Sequence, residues 1–415
     1  MLNSKQEREL CYVVTIDDIK PIPGKDRVEC AVVGGWTIMV RKGEFEPGSI
    51  GIYFEIDSKV PEKEPFLFLA KKHYKIKTQK YKTPDGQFWS QGLLMPAKDF
   101  GWEVQVEPLG GIRTEVIIDN EGNAHYVNNE SRFLTKQLGV TYAAASDNRR
   151  KAAPADKYKK MAQREGKRFS KQPYRWLMQR DWGKKLLFIF FGKKKDKRNW
   201  PIWVVKTDEE RVQNMPWILE NKDPWIVTEK IDGTSTTFTM KRKPFGRYDF
   251  YICSRNVVFD TPEKVQKGCY YDTNVYIEMA EKYDIQNKMK QLMENEYKDC
   301  EWITIQGETY GQGIQKRDYS TENHLFAAFN FITSKEGRYN TLDMVDILTK
   351  KYDIPTVPVI YNDYILPDTV DELLSFATGK SRLDLKPREG FVFRSQDGVQ
   401  SFKAVSNEYL MKFHN

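Results

Sequence analysis

Histidine and closely paired cysteine are scarce in this 415-residue sequence. Four histidines and no Cys-x-x-Cys pair argue against a structural zinc site. The five cysteines (Cys11, Cys30, Cys253, Cys269, Cys300) are odd in number and scattered, which speaks against a disulfide framework and for reduced thiols in a cytoplasm. Long apolar runs are missing as well. The longest, Leu186 to Phe191, falls far short of the ~20 residues a membrane span needs. The opening MLNSKQEREL is polar, with no signal-peptide core, and internal repeats are absent. A cytoplasmic, monomeric protein without membrane contact is expected.

What is present is a globular composition, 40% hydrophobic and 13% aromatic, on a chain long enough for two domains. The net charge of +8 is unevenly placed. Residues 141–200 hold 19 Lys+Arg against 5 Asp+Glu, so the remainder of the chain is mildly acidic. A basic segment between acidic portions suggests a polyanion partner, though a solvated linker would read the same way.

The patterning divides the chain into three regions. Residues 1–140 form the first, β-rich from about Leu10 to Phe100: "CYVVTIDDIKPIPGKDRVECAVVGGWTIMVRKGEF", "GSIGIYFEI" and "SQGLLMP" read as short strands broken by Pro-Gly and Gly-Gly turns. Such spacing suits a small OB-like β-barrel, an architecture that binds oligonucleotides or serves as a spacer. Residues 141–199 form the basic connector, helical in part over Asp147–Gly166. Residues 200–415 mix strands with helices, an α+β pattern. "PWIVTEK" and "TSTTFTM" read as a hairpin around Lys230, "YDFYICS" comes next, and Val275–Glu296 reads as one helix. "EWITIQGE", "HLFAAFNFI", "GFVFR" and "GVQSFKAVS" read as later strands.

A Lys-x-Asp-Gly tetrapeptide such as Lys230–Gly233 is by default a turn. Its weight changes with the ordered series downstream of it: Arg255 in "CSRN", Glu308 in "IQGETYGQGIQ", Phe329 in "FAAFNF", Glu389 in "REGFVFR" and Lys403 in "SFKAVSN". Each has a plain alternative. Glu308 and Glu389 could be strand-end salt-bridge partners, Phe329 core, Arg255 surface, and Lys403 the solvent side of its strand. His324 and Gly311-Gln312-Gly313 are read as structural.

The ordered set resembles the motifs of the covalent nucleotidyltransferase superfamily, and most closely its ATP-dependent RNA ligases with an N-terminal OB-like domain. Lys230, Asp232 and Gly233 match motif I, Arg255 motif Ia, Glu308 motif III, Phe329 motif IIIa, Glu389-Gly390 motif IV and Lys403 motif V. "WPIWVVKTDEERVQN" is similar to the segment that introduces the catalytic domain of these ligases. The resemblance implies an antiparallel, ATP-grasp-like nucleotidyltransferase domain over 200–415. Two departures stand out: Ser401 replaces the first lysine of a Lys-x-Lys motif V, and Asn330 follows Phe329 where related ligases often have Asp.

The implied chemistry explains the residue types. A lysine amine can carry AMP as a phosphoramidate, dividing one hard displacement into easier ones. A free lysine near pKa ~10.4 offers its lone pair in about one molecule in a thousand or fewer at neutral pH. Cationic surroundings or desolvation would be needed to raise that fraction. Asp232, Glu308 and Glu389 are the expected holders of Mg2+ or Mn2+, and Lys403 adds positive potential at the α-phosphate. Phe329 is expected to stack on adenine, Glu229 to recognise it, and Arg255 to contact ribose or the RNA end. ATP and RNA ends are the expected partners. DNA ligase and capping guanylyltransferase normally carry an OB domain after motif V, whereas 12 residues follow Lys403 here, which favours RNA ligase. A nucleic-acid-binding protein with a degenerate nucleotidyltransferase domain is the rival from another class.

Overall fold

A computed structural model describes residues 1–4, 7–84, 86–109, 112–143, 171–172, 174–180, 182–184, 186–187, 200–205, 208–259, 274–315 and 317–413. The chain divides into a smaller unit, Ser146–Asn199, and a larger one made of Met1–Ala145 and Trp200–Asn415. Within the smaller unit, the short helix Tyr174–Met178 sets Trp176 edge-on to Trp182 at 5.7 Å, with the Arg180 guanidinium 3.9 Å from the Trp176 ring. The helical stretch expected over Asp147–Gly166 lies outside the described residues.

The N-terminal part of the larger unit is an OB-like arrangement of short antiparallel sheets. Cys11–Thr15, Ile50–Phe54 and Leu93–Met95 form one, and Asp18–Pro21, Val28–Val33 and Trp36–Arg41 another. "CYVVT" and "IGIYF" are apolar almost throughout because both of their faces are covered. Cys11, Val13, Ile52 and Phe54 pack with Phe66, Ile117 and Leu134 on one side. Tyr12, Val14 and Tyr53 pack with Trp36, Ile38 and Val40 on the other. The second core also takes in Val405 and Leu410, so the barrel is seated on the last strand and helix of the chain. Its Gly34-Gly35 turn presses on Gln213: the Gly35 N–H donates to the Gln213 carbonyl at 2.7 Å, and a Cβ on Gly35 would come within 2.6 Å of Gln213 Cα. A hairpin that the sequence pattern did not single out, Glu103–Leu109 with Ile112–Ile118, completes this region.

The C-terminal part holds two larger sheets. The five-stranded one runs, in spatial order, Glu210–Arg211, Ser401–Val405, Gly390–Ser395, Trp225–Lys230 and Val359–Tyr364. It is antiparallel apart from Glu210–Arg211, which pairs parallel to the Lys403 strand. The six-stranded one is centred on Thr234–Arg242, Trp302–Gly311 and His324–Thr333. The span read as one helix is two, Val275–Lys282 and Ile285–Asn295. Asp284 sits between them in the left-handed region (φ 50°), a conformation that ends a helix. The second helix lays Ile285, Met289, Leu292 and Met293 on the six-stranded sheet. Among the described residues, no helix is long and apolar enough to cross a membrane.

Candidate active site

Lys230 ends a strand whose five preceding residues are buried. The flanking strands are not a hairpin, as the sequence suggested: Trp225–Lys230 belongs to the five-stranded sheet and Thr234–Arg242 to the six-stranded one. Ile231-Asp232-Gly233 is therefore the crossover between sheets, and Lys230 stands where they part. Gly233 is required by closeness. A Cβ there would lie 2.3 Å from the Thr309 carbonyl oxygen and 2.8 Å from Glu308 Cγ. Gly233→Ala must push the crossover off Glu308. We expect at least tenfold slower nucleotide transfer with a lowered melting temperature, checked by single-turnover kinetics beside thermal unfolding.

Across the sheets, Lys230 Nζ lies 2.8 Å from Glu389 Oε1. Burial alone would pull the ammonium's pKa down, but Glu389, Glu308 and Asp232 outweigh it and hold it above the usual lysine range. The protein's own groups thus keep Lys230 charged, opposite to what its expected role as nucleophile demands. Glu308 shows the same imbalance from the other side. Burial, then the charges of Glu389 and Asp232, push its carboxyl up to about 8, against the pull of Lys230 and Arg255. The folded state therefore retains a proton on Glu308 that an unfolded glutamate loses near pH ~4.3. Stability should fall as pH rises from about 5 to about 8. Glu308→Gln should remove that decline, and melting curves of both proteins across this range check it.

Asp232 is built into the scaffold. Its carboxylate accepts from the Tyr409 hydroxyl at 2.7 Å, and its backbone N–H donates to the Tyr319 hydroxyl at 2.6 Å. Arg317 lies 4.0 Å over the Tyr319 ring and is paired with Asp384 at 2.5 Å, both side chains fully buried. Asp232, Glu308 and Glu389 are close enough to act on one another electrostatically. Among the described residues, no three His, Cys, Asp or Glu side chains are gathered as a ready-made metal cage.

Lys403 does not face solvent. It is 8% exposed and pairs with Asp208 at 2.9 Å. Arg255, half-exposed at the end of its strand, meets the same carboxylate at 2.7 Å. Burial lowers the Lys403 pKa and Asp208 opposes it, while Arg8, Arg211 and Lys230 add to the lowering. Asp208, read in the sequence only as part of an introductory segment, is thus the common counterion of two cations expected to meet the nucleotide. The one signal for it was the acidic triplet Asp208-Glu209-Glu210. Ser401 also acquires a context. Its hydroxyl donates to Glu209, which pairs with Arg394 at 3.0 Å, and Arg394 is the cross-strand partner of Ser401. The positive charge missing at position 401 stands directly opposite it, buried.

Phe329 occupies an irregularity. Gln306 pairs with Asn330 and Gly307 with Ala328, which leaves Phe329 as the extra residue of a β-bulge, a feature that re-aims a side chain. It packs beside Ile231, Tyr310 and Leu383, next to the nucleophile candidate. Asn330 is buried and donates to Gln306 Oε1 at 3.1 Å, while the Gln306 amide donates to the Val205 carbonyl. An aspartate at 330 would set a carboxylate against that oxygen. Glu229, fully buried, accepts the Arg382 N–H at 2.8 Å through one oxygen, and its other oxygen has no hydrogen-bond partner.

This architecture has known counterparts. An RNA ligase family model matches residues 223–408, and an OB-fold domain model matches residues 10–97. No curated protein matches the chain. Among solved structures, the RNA ligase of Naegleria gruberi with PPi covers 98% of this chain and 99% of its own, with 24% identity and a TM-score of 0.67. A variant of that ligase with ATP and Mn gives 0.65 at 24% identity, covering 98% of both chains, and another with AMP and Mn gives 0.66 at 24%, covering 98% and 99%. At this identity the likeness is one of fold, over the OB-like region and the two larger sheets together. The segment that matches the RNA ligase family model opens just ahead of the Lys230 strand and closes just beyond Lys403.

Proposed function

We propose that this chain is an ATP-dependent RNA ligase that joins RNA 3′-hydroxyl and 5′-phosphate ends. The observation that carries the reading is the placement of Lys230 at the parting of two sheets, 2.8 Å from Glu389 and within the field of Glu308. Lys230 Nζ attacks the α-phosphorus of ATP; the Nζ–P bond forms as the Pα–O–Pβ bond breaks, and pyrophosphate leaves. The amine's proton departs along the contact with Glu389. AMP then passes to the RNA 5′-phosphate, freeing Lys230, and the 3′-hydroxyl displaces AMP to make the phosphodiester. Lys403 and Arg255 are cations for the nucleotide and RNA phosphates, which would take the place of Asp208. Phe329, with Ile231 and Leu383, walls the adenine, and the unpartnered oxygen of Glu229 is an acceptor for its amino group.

Three acids surround one ammonium, and even with Glu308 protonated the carboxylates of Asp232 and Glu389 leave the site net negative. That fits Mg2+ or Mn2+ held by Asp232, Glu308 and Glu389 together with substrate phosphates and water. Such a dication supplies charge that lowers the proton affinity of Lys230 and offsets negative charge growing on the α-phosphate. The domain bounds 1–140, 141–199 and 200–415 and a monomeric, cytoplasmic protein belong to the same proposal. The buried, unbridged Cys11, Cys30, Cys253 and Cys300 support the cytoplasmic reading. Incubating a 5′-phosphorylated RNA and a 3′-hydroxyl acceptor with ATP and Mn2+ tests the reading. Joined RNA and an AMP-capped 5′ end are expected. Joining of all-DNA ends in preference to RNA would replace RNA ligase by DNA ligase, and RNA binding with neither product would make the domain a degenerate one.

A further inference from the structure

Resting on the RNA ligase reading, we propose that the barrel's hairpin Gln79–Thr83 with Gly86–Ser90, and the lysines leading into it, bind single-stranded RNA. Between Pro65 and Pro84 the sequence has six lysines, one histidine and no acidic residue. Lys71, Lys72 and His73 are exposed at the end of the 3-10 turn Leu67–Lys72, and Lys80 and Lys82 are exposed on the hairpin. Some exposed lysines elsewhere are matched to acids, as in Lys351–Glu296 at 2.9 Å and Lys386–Asp318 at 3.0 Å. Among the described residues, Lys71, Lys72, Lys80 and Lys82 have no such partner.

Aromatic rings are interleaved with these charges. Register sets Lys80 opposite Trp89 and Lys82 opposite Gln87, so both lysines share a face with the half-buried indole. Lys80 Nζ lies 4.9 Å from that ring's centroid. Tyr81 and Phe88 pair on the other face, centroids 6.4 Å apart. Lysines that follow a phosphate backbone beside rings on which bases stack are what a sequence-tolerant single-strand site requires. A lysine-rich face kept only for solubility has no use for a half-exposed tryptophan.

The hairpin is also tied to the reaction centre. The Trp89 carbonyl accepts from Thr37 Oγ1 at 2.8 Å, and Ser90 Oγ accepts from the Met39 N–H at 3.0 Å, fixing the hairpin's root to the barrel. The next residue, Gln91, donates to Asn407 Oδ1 at 2.8 Å. Asn407 opens the helix whose Tyr409 holds Asp232. A strand lying on the hairpin is thereby held by the element that braces the crossover after Lys230.

The test titrates the full-length protein with a labelled, 5′-phosphorylated single-stranded RNA 20-mer at several salt concentrations. In the Lys71→Ala/Lys72→Ala/Lys80→Ala/Lys82→Ala variant we expect affinity to fall at least tenfold. The slope of log K against log salt should become shallower by ~0.7 for each RNA phosphate that the variant no longer neutralises. Trp89→Leu should weaken binding about fivefold or more with the slope unchanged. AMP uptake from ATP alone should be unaffected, and the sealing defect should recover at high RNA concentration. Unchanged affinity and slope in the quadruple variant overturn the proposal, including the case where the lysines serve an acidic protein or a membrane. Should that variant fold poorly, Lys80→Gln/Lys82→Gln alone must lower the slope by about 1.4 or the proposal falls. A wild type that binds RNA through this face yet takes up no AMP would instead refute the ligase reading, which the titration does not depend on.

Discussion

Lys230→Ala should abolish covalent uptake of AMP. With α-labelled ATP and Mn2+, the wild-type protein is expected to retain label through denaturation, and the variant at least about a thousandfold less. The neighbouring cations are not placed to take over. Lys403 is held by Asp208, and Arg255, Arg394 and Arg211 are guanidiniums that stay protonated and do not act as nucleophiles. The substitution also removes the cation between Glu308 and Glu389, which raises the question of folding. Glu308 already holds its proton up to about pH 8, so the variant can relieve the repulsion by protonation rather than by opening the site. Melting near pH 6 should therefore stay close to wild type, and loss of label there reads as lost chemistry. Undiminished label in Lys230→Ala would place the acceptor elsewhere and end the proposed mechanism.

How much of this site was legible in the sequence depended on whether a residue's role is local. Lys230, Glu308 and Lys403 lie on strands and Glu389 directly precedes one, and strands announce themselves by buried apolar runs. The span Val275–Glu296 misled because helical periodicity continues through Tyr283 and Asp284. The break comes from a single left-handed residue that no periodic pattern marks. The crossover at Lys230 was mistaken for a hairpin for a related reason, since sequence proximity favours pairing of consecutive strands. Only the sheet assignment of Thr234–Arg242, paired with Trp302–Gly311, separates them. Asp208, Arg394 and Tyr409 were invisible as site residues because their significance lies in partners 195, 185 and 177 positions away. The bulge that frees Phe329 comes from a one-residue offset between two strands, and neither strand alone records it.

That same unrecorded balance of charge predicts how the reaction should depend on pH and metal together. Lys230 is held above its ordinary range by Glu389, Glu308 and Asp232. Its contribution to folding is therefore fully present below about pH 10.4 and is lost only as pH rises through the higher folded value. Between pH 6 and 9 it leaves stability unchanged and acts on rate alone, because only the neutral amine attacks. At limiting Mn2+ the rate of AMP uptake should rise about tenfold per pH unit over this range, a total near a thousandfold. Proton and dication compete for one acidic pocket, so each tenfold increase in Mn2+ should lower the apparent midpoint by up to one unit. Glu389→Gln removes the acid in direct contact with Nζ, and should lower the midpoint at fixed metal while weakening the dependence on it. A rate that is flat from pH 6 to 9 at limiting metal would mean that Lys230 is already neutral in the free protein. The 2.8 Å contact with Glu389 would then not be the ion pair on which the acid–metal exchange depends.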